Sequence, residues 1–331
     1  MTSSEDISHR LLLSLILLFI TTAVSAPEGA AQTQPASETR ILVTAVDREQ
    51  HFVDTLRAED VRILENGAPQ KILSFQQIAD QSASIAILID ASGSQERTLP
   101  EQKLAATSFV DAIIRPAKDK AAVATFTGTL TVQQTLTNDL ALLRLAIARA
   151  RFVPPTGYVG GGIVVSSSRP TTARTPATLA GATAVWDAIL AACDQVLSQS
   201  SRQTRRSIIL LTDGEDTISK SKLSDAITRA IKDDVVIYSI GIGDKNTFGI
   251  NKDELRKLSD RTGGRAFFPK KLEDLQTIFA DIGQELRTQY LIAYDSTNNA
   301  GAARKIQIEI INPALHSRDI QLAYQRIAPR K

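Results

Sequence analysis

In the middle of the chain the most apolar stretches are short and unbroken. Ile85–Ile89 is five apolar residues in a row, and Ser207–Thr212 carries Ile208-Ile209-Leu210-Leu211 at its centre. Runs of this length without polar alternation predict strands buried on both faces, as in the middle of a parallel sheet. Ala121–Phe126 and Val235–Ile240 read the same way. Between them lie helical patterns over Pro100–Ile114, Ser221–Lys232, Asp253–Thr262 and Leu272–Leu286. Two more are expected: one with Thr137 as cap and Leu140, Leu143 and Ile147 on its apolar face, and one opened by Thr183 with Val185, Ile189, Cys193 and Val196 inward. Strand–helix alternation of this kind predicts an α/β fold, a doubly wound, mostly parallel sheet with helices on both faces.

Towards both ends the period shortens to two. Ile41–Val46, Val61–Ala68 and Lys71–Phe75 are strand-like, and Asn66-Gly67 is a strong hairpin signal. Tyr290–Tyr294, the alternating Ile306, Ile308 and Ile310, and Ile320, Leu322 and Tyr324 repeat the pattern. Neither end holds enough strands to stand alone. The expectation is a small, discontinuous, β-sandwich-like domain built from residues 39–78 and 289–327, with the α/β part, residues 82–288, inserted between them. Residues 27–38 read as a linker rich in Ala, Gln, Pro, Ser and Glu. The apolar block 11–20, extended to Ala26, has the length of a signal-peptide core and falls short of a comfortable span of about 20 residues. Residues 1–26 are therefore expected to be a signal peptide, cut after Ala26 or Ala31, with an uncleaved anchor as the alternative. Export to the periplasm, cell envelope or exterior follows, with no membrane association beyond that segment. Val153–Gly181, rich in Gly, Pro, Ser, Thr and Arg, is longer than ordinary connections and is expected as a loop beside the functional end of the sheet.

Composition removes several functions. A net charge of +2 over 331 residues, with no basic stripe interleaved with aromatics, gives nucleic-acid binding no support. Cys193 is the only cysteine and fits a small buried hydrophobe, so neither a disulfide nor a cysteine metal site is available. The histidines are His9, His51 and His316, which leaves the middle of the chain without a histidine-based catalytic centre. No phosphate-cradling Gly-x-x-x-x-Gly-Lys-Ser/Thr is present. What remains is oxygen. The Ile85–Ile89 strand runs into Asp90-Ala91-Ser92-Gly93-Ser94, at the carboxyl end of a strand, where open α/β sheets bind ligands. One carboxylate and two hydroxyls suit a hard cation such as Mg²⁺ but do not complete its shell.

Asp90-x-Ser92-x-Ser94 after the first central strand, Thr183 in a later loop, and Asp213-Gly214 after another all-apolar strand resemble the von Willebrand factor type A domain and its metal-ion-dependent adhesion site. Lys118-Asp119-Lys120 and Gly241-Ile242-Gly243 fit the same pattern, whereas Ala182 stands where related sequences often carry glycine. The flanking β segments resemble those of exported bacterial proteins related to this family. The resemblance spans residues 82–288. It implies a Rossmann-like domain in which Asp90, Ser92, Ser94, Thr183 and Asp213 hold a divalent ion: Mg²⁺, or Mn²⁺ or Ca²⁺. It also implies a non-enzymatic adhesion-type role, in which a partner protein's Asp or Glu carboxylate completes the metal shell. A structural scaffold with a vestigial site, and a metal-assisted hydrolase, are the alternatives.

Overall fold

The computed structural model describes residues 37–328 apart from 49–51, 79–80, 155–157, 161–162, 165–181, 202–203, 244–248, 272, 288, 297–303, 317–318 and 325–326. The expected signal peptide and most of the expected linker lie outside the described residues, as does most of the Val153–Gly181 loop. Fifteen strands are described: β1 Ser37–Val46, β2 Val61–Glu65, β3 Ala68–Ile78, β4 Ala83–Asp90, β5 Lys120–Phe126, β6 Leu130–Thr137, β7 Tyr158–Gly160, β8 Ile163–Val164, β9 Arg205–Thr212, β10 Val235–Gly241, β11 Ala266–Phe267, β12 Gln289–Ser296, β13 Arg304–Ile310, β14 Gln321–Tyr324 and β15 Ile327–Ala328. The helices are α1 Leu99–Ile113, α2 Leu140–Arg149, α3 Val185–Gln195, α4 Leu223–Lys232, α5 Lys252–Thr262, α6 Asp274–Glu285 and the single turn α7 Pro313–His316.

The α/β part is a six-stranded sheet in the order β11-β10-β9-β4-β5-β6. All its pairings are parallel except that of β6, which returns antiparallel to β5 at the edge. Every residue of β4 is buried. Alternation sorts them between the layers: Ile85, Ile87 and Ile89 pack with Phe109 of α1, Leu143 of α2 and Phe279 of α6. Ala86 and Leu88 face Ile189 of α3, Ala226 of α4 and Leu255 of α5. An apolar run without polar positions is thus what a strand covered by helices on both faces requires.

The two ends of the chain meet in one antiparallel sheet, ordered β14-β1-β12-β3-β2-β13-β15. Asn66 and Gly67 both take positive φ, 51° and 85°, as the two-residue turn joining β2 to β3 requires. β13 alternates buried and exposed over Arg304–Ile308, so only one face enters the core formed with Ile41, Val43, Ile63 and Tyr290. Tyr324, on the edge strand β14, accepts the Ile308 N–H of β13 through its hydroxyl at 2.9 Å. Its first strand begins at Ser37, two residues inside the expected linker. Both sheets belong to one compact unit beginning at Ser37. Arg205, at the start of β9, donates to the carbonyls of Ile78 and Leu286, close to the two points where the chain passes between the sheets.

Two local expectations are corrected. The cap of α2 is Asp139, whose Oδ1 accepts the N–H groups of Ala141 and Leu142. Thr137 ends β6 and its hydroxyl accepts the Asp139 N–H instead. Thr183 does not open α3. The helix starts at Val185 behind Ala184, which offers no capping side chain.

Candidate metal centre

β4 and β9 lie side by side and parallel, with Ile89 opposite Leu211. Their ends therefore bring Asp90 and Asp213 to the same crevice. Asp90 is 0% exposed and Asp213 2%. The backbone leaves β4 through a tight turn in which the Ser92 N–H donates to Asp90 Oδ1 at 2.9 Å. This fixes one carboxylate oxygen and sets Ser92 and Ser94 with their hydroxyl oxygens 3.3 Å apart. Thr212 donates its hydroxyl to Asp90 Oδ2 at 2.6 Å and accepts the Gly214 N–H at 3.0 Å, locking the two strand ends together. Gly214 has φ +82°, and a Cβ there would stand 2.8 Å from Leu255. The Asp-Gly dipeptide is therefore dictated by backbone conformation and packing.

Asp213 is held by the Glu215 N–H at 3.0 Å on Oδ1 and by Gln95 Nε2 at 2.6 Å on Oδ2. Gln95, 0% exposed, also donates to Ser94 Oγ at 3.2 Å, while its carbonyl oxygen accepts from Thr98 and Gln102 at 2.5 Å each. It thus links the Asp90 turn to the Asp213 loop.

Thr183 sits between the end of β5 and the loop after β9. Its carbonyl accepts the Thr217 and Ile218 N–H groups at 2.8 and 3.1 Å, and its N–H donates to the Thr217 hydroxyl at 2.8 Å. The next residue, Ala184, donates to the Thr127 carbonyl at 2.8 Å. The cap that Ala184 cannot provide comes from Asp216, whose Oδ1 accepts the Val185 N–H at 2.7 Å. Among the described residues no hydrogen bond engages the Thr183 hydroxyl. The structure thus links Asp90, Ser92, Ser94 and Asp213 through side chains, whereas the described hydrogen bonds of Thr183, 3% exposed, run from its backbone to Thr217 and Ile218 and to none of these four. The start of the long loop lies here too: the Val153 N–H donates to the Ala91 carbonyl at 3.3 Å.

The electrostatics are unusual for a protein interior. Burial, and then the negative charge of Asp213, push the Asp90 carboxyl up to about 7 against the hydrogen bonds from Ser92 and Thr212. Burial likewise raises Asp213. Among the described residues no Lys, Arg or His forms an ion pair with either. Nor, among the described residues, do three or more His, Cys, Asp or Glu side chains gather into a metal-holding group. The oxygen groups brought together here are two carboxylates and the hydroxyls of Ser92 and Ser94. That set fits a hard divalent cation, which would supply the missing positive charge. Glu215 and Asp216 do not join it through the contacts described: one gives a backbone N–H to Asp213, the other caps α3.

Residues 172–281 match the family model for the von Willebrand factor type A domain. That span contains Thr183, Asp213 and the β9–α5 core, and begins after Asp90. No curated protein matches the sequence. Among solved structures, the proximal thread matrix protein 1 of the mussel byssus, with its metal-ion-dependent adhesion site occupied by zinc, is 22% identical with a TM-score of 0.48. That match covers 66% of this chain and 49% of the mussel protein, so the chain aligns to about half of it. BatB from Bacteroides thetaiotaomicron is 16% identical, TM-score 0.46, covering 62% of this chain and 100% of that one. A von Willebrand factor type A protein from Catenulispora acidiphila is 15% identical, TM-score 0.48, covering 83% and 75%. The family match and the mostly parallel six-stranded sheet identify the α/β part that holds residues 172–281 as a von Willebrand factor type A domain.

Proposed function

We propose that this protein is an exported, non-enzymatic binding module. In this reading Asp90, Ser92, Ser94, Thr183 and Asp213 hold one divalent cation, Mg²⁺ in the first instance, and a partner protein's Asp or Glu carboxylate completes its shell. The observation that carries the reading is the pair of buried carboxylates facing each other without a counter-charge. Buried charges are ordinarily paired or coordinate a metal. Ser and Thr hydroxyls add neutral oxygens, so a divalent ion is balanced by two carboxylates and stays electrophilic toward a third. Histidine and cysteine are absent from the set, which favours oxygen-seeking ions. No helix among the described residues is long and apolar enough to cross a membrane. Export itself rests on the apolar block near the N-terminus.

A second reading is a scaffold whose site stays metal-free. Gln95 favours it, since its amide already satisfies Asp213 while Ser92 and Thr212 satisfy Asp90. Calorimetry with Mg²⁺, Mn²⁺, Ca²⁺ and Zn²⁺, followed by binding of a single-glutamate peptide in metal and in EDTA, separates the two. The binding module gives saturable heats in the wild type, none in Asp90→Ala, and peptide binding that EDTA abolishes. Absent heats in the wild type leave the scaffold.

A further inference from the structure

A groove of about 740 Å³ adjoins the carboxylate crevice, a volume within the range of ligand sites. It is continuous with the proposed metal centre at two points. Gly243 lines it, and a Cβ at that position would stand 3.1 Å from the Cβ of Asp213. Thr98 lines it as well, and its hydroxyl donates to the same Gln95 that holds Asp213. The wall includes apolar Ile242, Phe268 and Leu275. Among the described residues that line it are the exposed side chains of Arg97, Lys252, Lys270, Lys271 and Glu101, and the Asp274 carboxylate accepts the Lys270 N–H beside them at 2.9 Å. Among these described residues cationic side chains outnumber carboxylates four to two, in a chain whose net charge is only +2. The Lys252 ammonium lies 5.4 Å from the Phe268 ring centroid and the Arg256 guanidinium 5.1 Å from it. Arg256 is paired with Asp253 at 3.7 Å, whereas the Lys252 ammonium, held at the wall by the ring, keeps donors for solvent or a ligand.

We infer that this groove receives an acidic stretch of the partner protein, next to the one carboxylate that the metal captures. The inference rests on the metal-dependent reading above and extends it from a single carboxylate to a run of them. A lone exposed lysine contributes little to an ion pair. Several of them beside a site that already anchors one end of the ligand act on a tethered segment at high effective concentration. They also raise the rate of encounter in a salt-dependent way. The apolar wall suits the methylene stems of Glu and neighbouring apolar residues, which favours a peptide over a fully hydrophilic polyanion.

The test uses two fluorescent peptides, one with a single Glu among Gly and Ser and one with an uninterrupted run of Glu, titrated with the whole protein in Mg²⁺ at low and at physiological ionic strength. The Glu run is expected to bind about tenfold tighter at low salt and to lose most of that margin as salt rises. The double variant Lys270→Glu/Lys271→Glu, at two exposed positions, should erase the margin while leaving the single-Glu peptide and the Mg²⁺ heats unchanged. Equal affinity for the two peptides, or a margin the variant retains, overturns the groove and leaves the metal site standing. A sulfated oligosaccharide that binds more tightly than the Glu run overturns the choice of an acidic protein segment. If Mg²⁺ gives no heat and neither peptide binds, the metal reading has failed and the groove with it.

Discussion

Glu65 and Asp90 are both buried acids, at 2% and 0% exposure, and the molecule treats them in opposite ways. Glu65, at the end of β2, accepts from the Tyr294 hydroxyl at 2.6 Å and the Ser296 hydroxyl at 3.0 Å, with Arg304 Nη1 4.0 Å away. Arg304 in turn donates to Thr39 and Ser296 at 2.9 and 3.1 Å. Charge and hydrogen bonds close within the antiparallel sheet and ask for nothing from outside. Asp90 has its hydrogen bonds but, among the described residues, no cationic partner; its nearest charged influence is the like charge of Asp213. A charge whose compensation lies inside the fold belongs to the architecture. One whose compensation is missing marks where something else is meant to bind.

Breaking the closed network should produce the largest effect. Arg304→Met leaves the Glu65 carboxylate buried without its counter-charge and is expected to cost about 3–5 kcal/mol in urea unfolding. Adding Glu65→Gln should recover a good part of that loss, because the stranded charge is removed. If the single variant costs no more than the double one, the network is not the closed unit described.

A third buried acid sharpens the contrast. Glu285, 1% exposed, ends α6 with Arg265 Nη1 at 3.5 Å, too far for a good hydrogen bond, and with the buried Tyr238 hydroxyl and Asp281 as its other ionisable neighbours. Burial outweighs Arg265 and lifts its carboxyl from an ordinary 4.5 to about 7. Between those pH values the folded protein keeps a proton that the unfolded chain releases. Stability therefore falls as pH rises through that window and levels off above 7. Glu285→Gln is expected to match the wild type near pH 4.5 and to exceed it by about 3 kcal/mol at pH 8 in equilibrium unfolding. A constant difference across the range would contradict this.

A smaller effect is expected at Asp216. Removing its carboxylate takes the cap from α3 and loosens the loop that holds Thr183. Asp216→Ala should cost about 1 kcal/mol of stability and weaken cation affinity by roughly tenfold, the usual consequence of disturbing a group that orients a ligand. Unchanged affinity would separate the Thr183 loop from metal binding.

Much of this was legible along the chain, and what was not has a consistent cause. The unbroken apolar runs of β4 and β9 report burial on both faces, so they located the parallel core and the two aspartates at its end. Asn66-Gly67 specified its turn because only residues that tolerate positive φ fit there. The misreadings come from partners distant in sequence or from local competition. Asp216 caps a helix that starts 31 residues earlier, and no spacing rule connects the two. Gln95 reaches Asp213 across 118 residues, and an isolated glutamine after a Ser-rich turn carries no signal of that. Thr137 and Asp139 both suit a cap; the strand kept Thr137, and the carboxylate two residues on took the helix. The pairing of Glu65 with Arg304 likewise exists only once the chain ends are joined in one sheet.

The central claim is that the Asp90–Asp213 pair is completed by a cation from outside. Urea unfolding of the wild type and Asp90→Asn, each in EDTA and in saturating Mg²⁺, addresses it most directly. Without metal the variant should be the more stable, since it removes one of two repelling buried carboxylates. With Mg²⁺ the order should reverse, because only the wild type gains binding free energy, about 2.7 kcal/mol at a hundredfold excess over Kd. A wild type that gains nothing from Mg²⁺, or a variant less stable than the wild type even in EDTA, would contradict the claim.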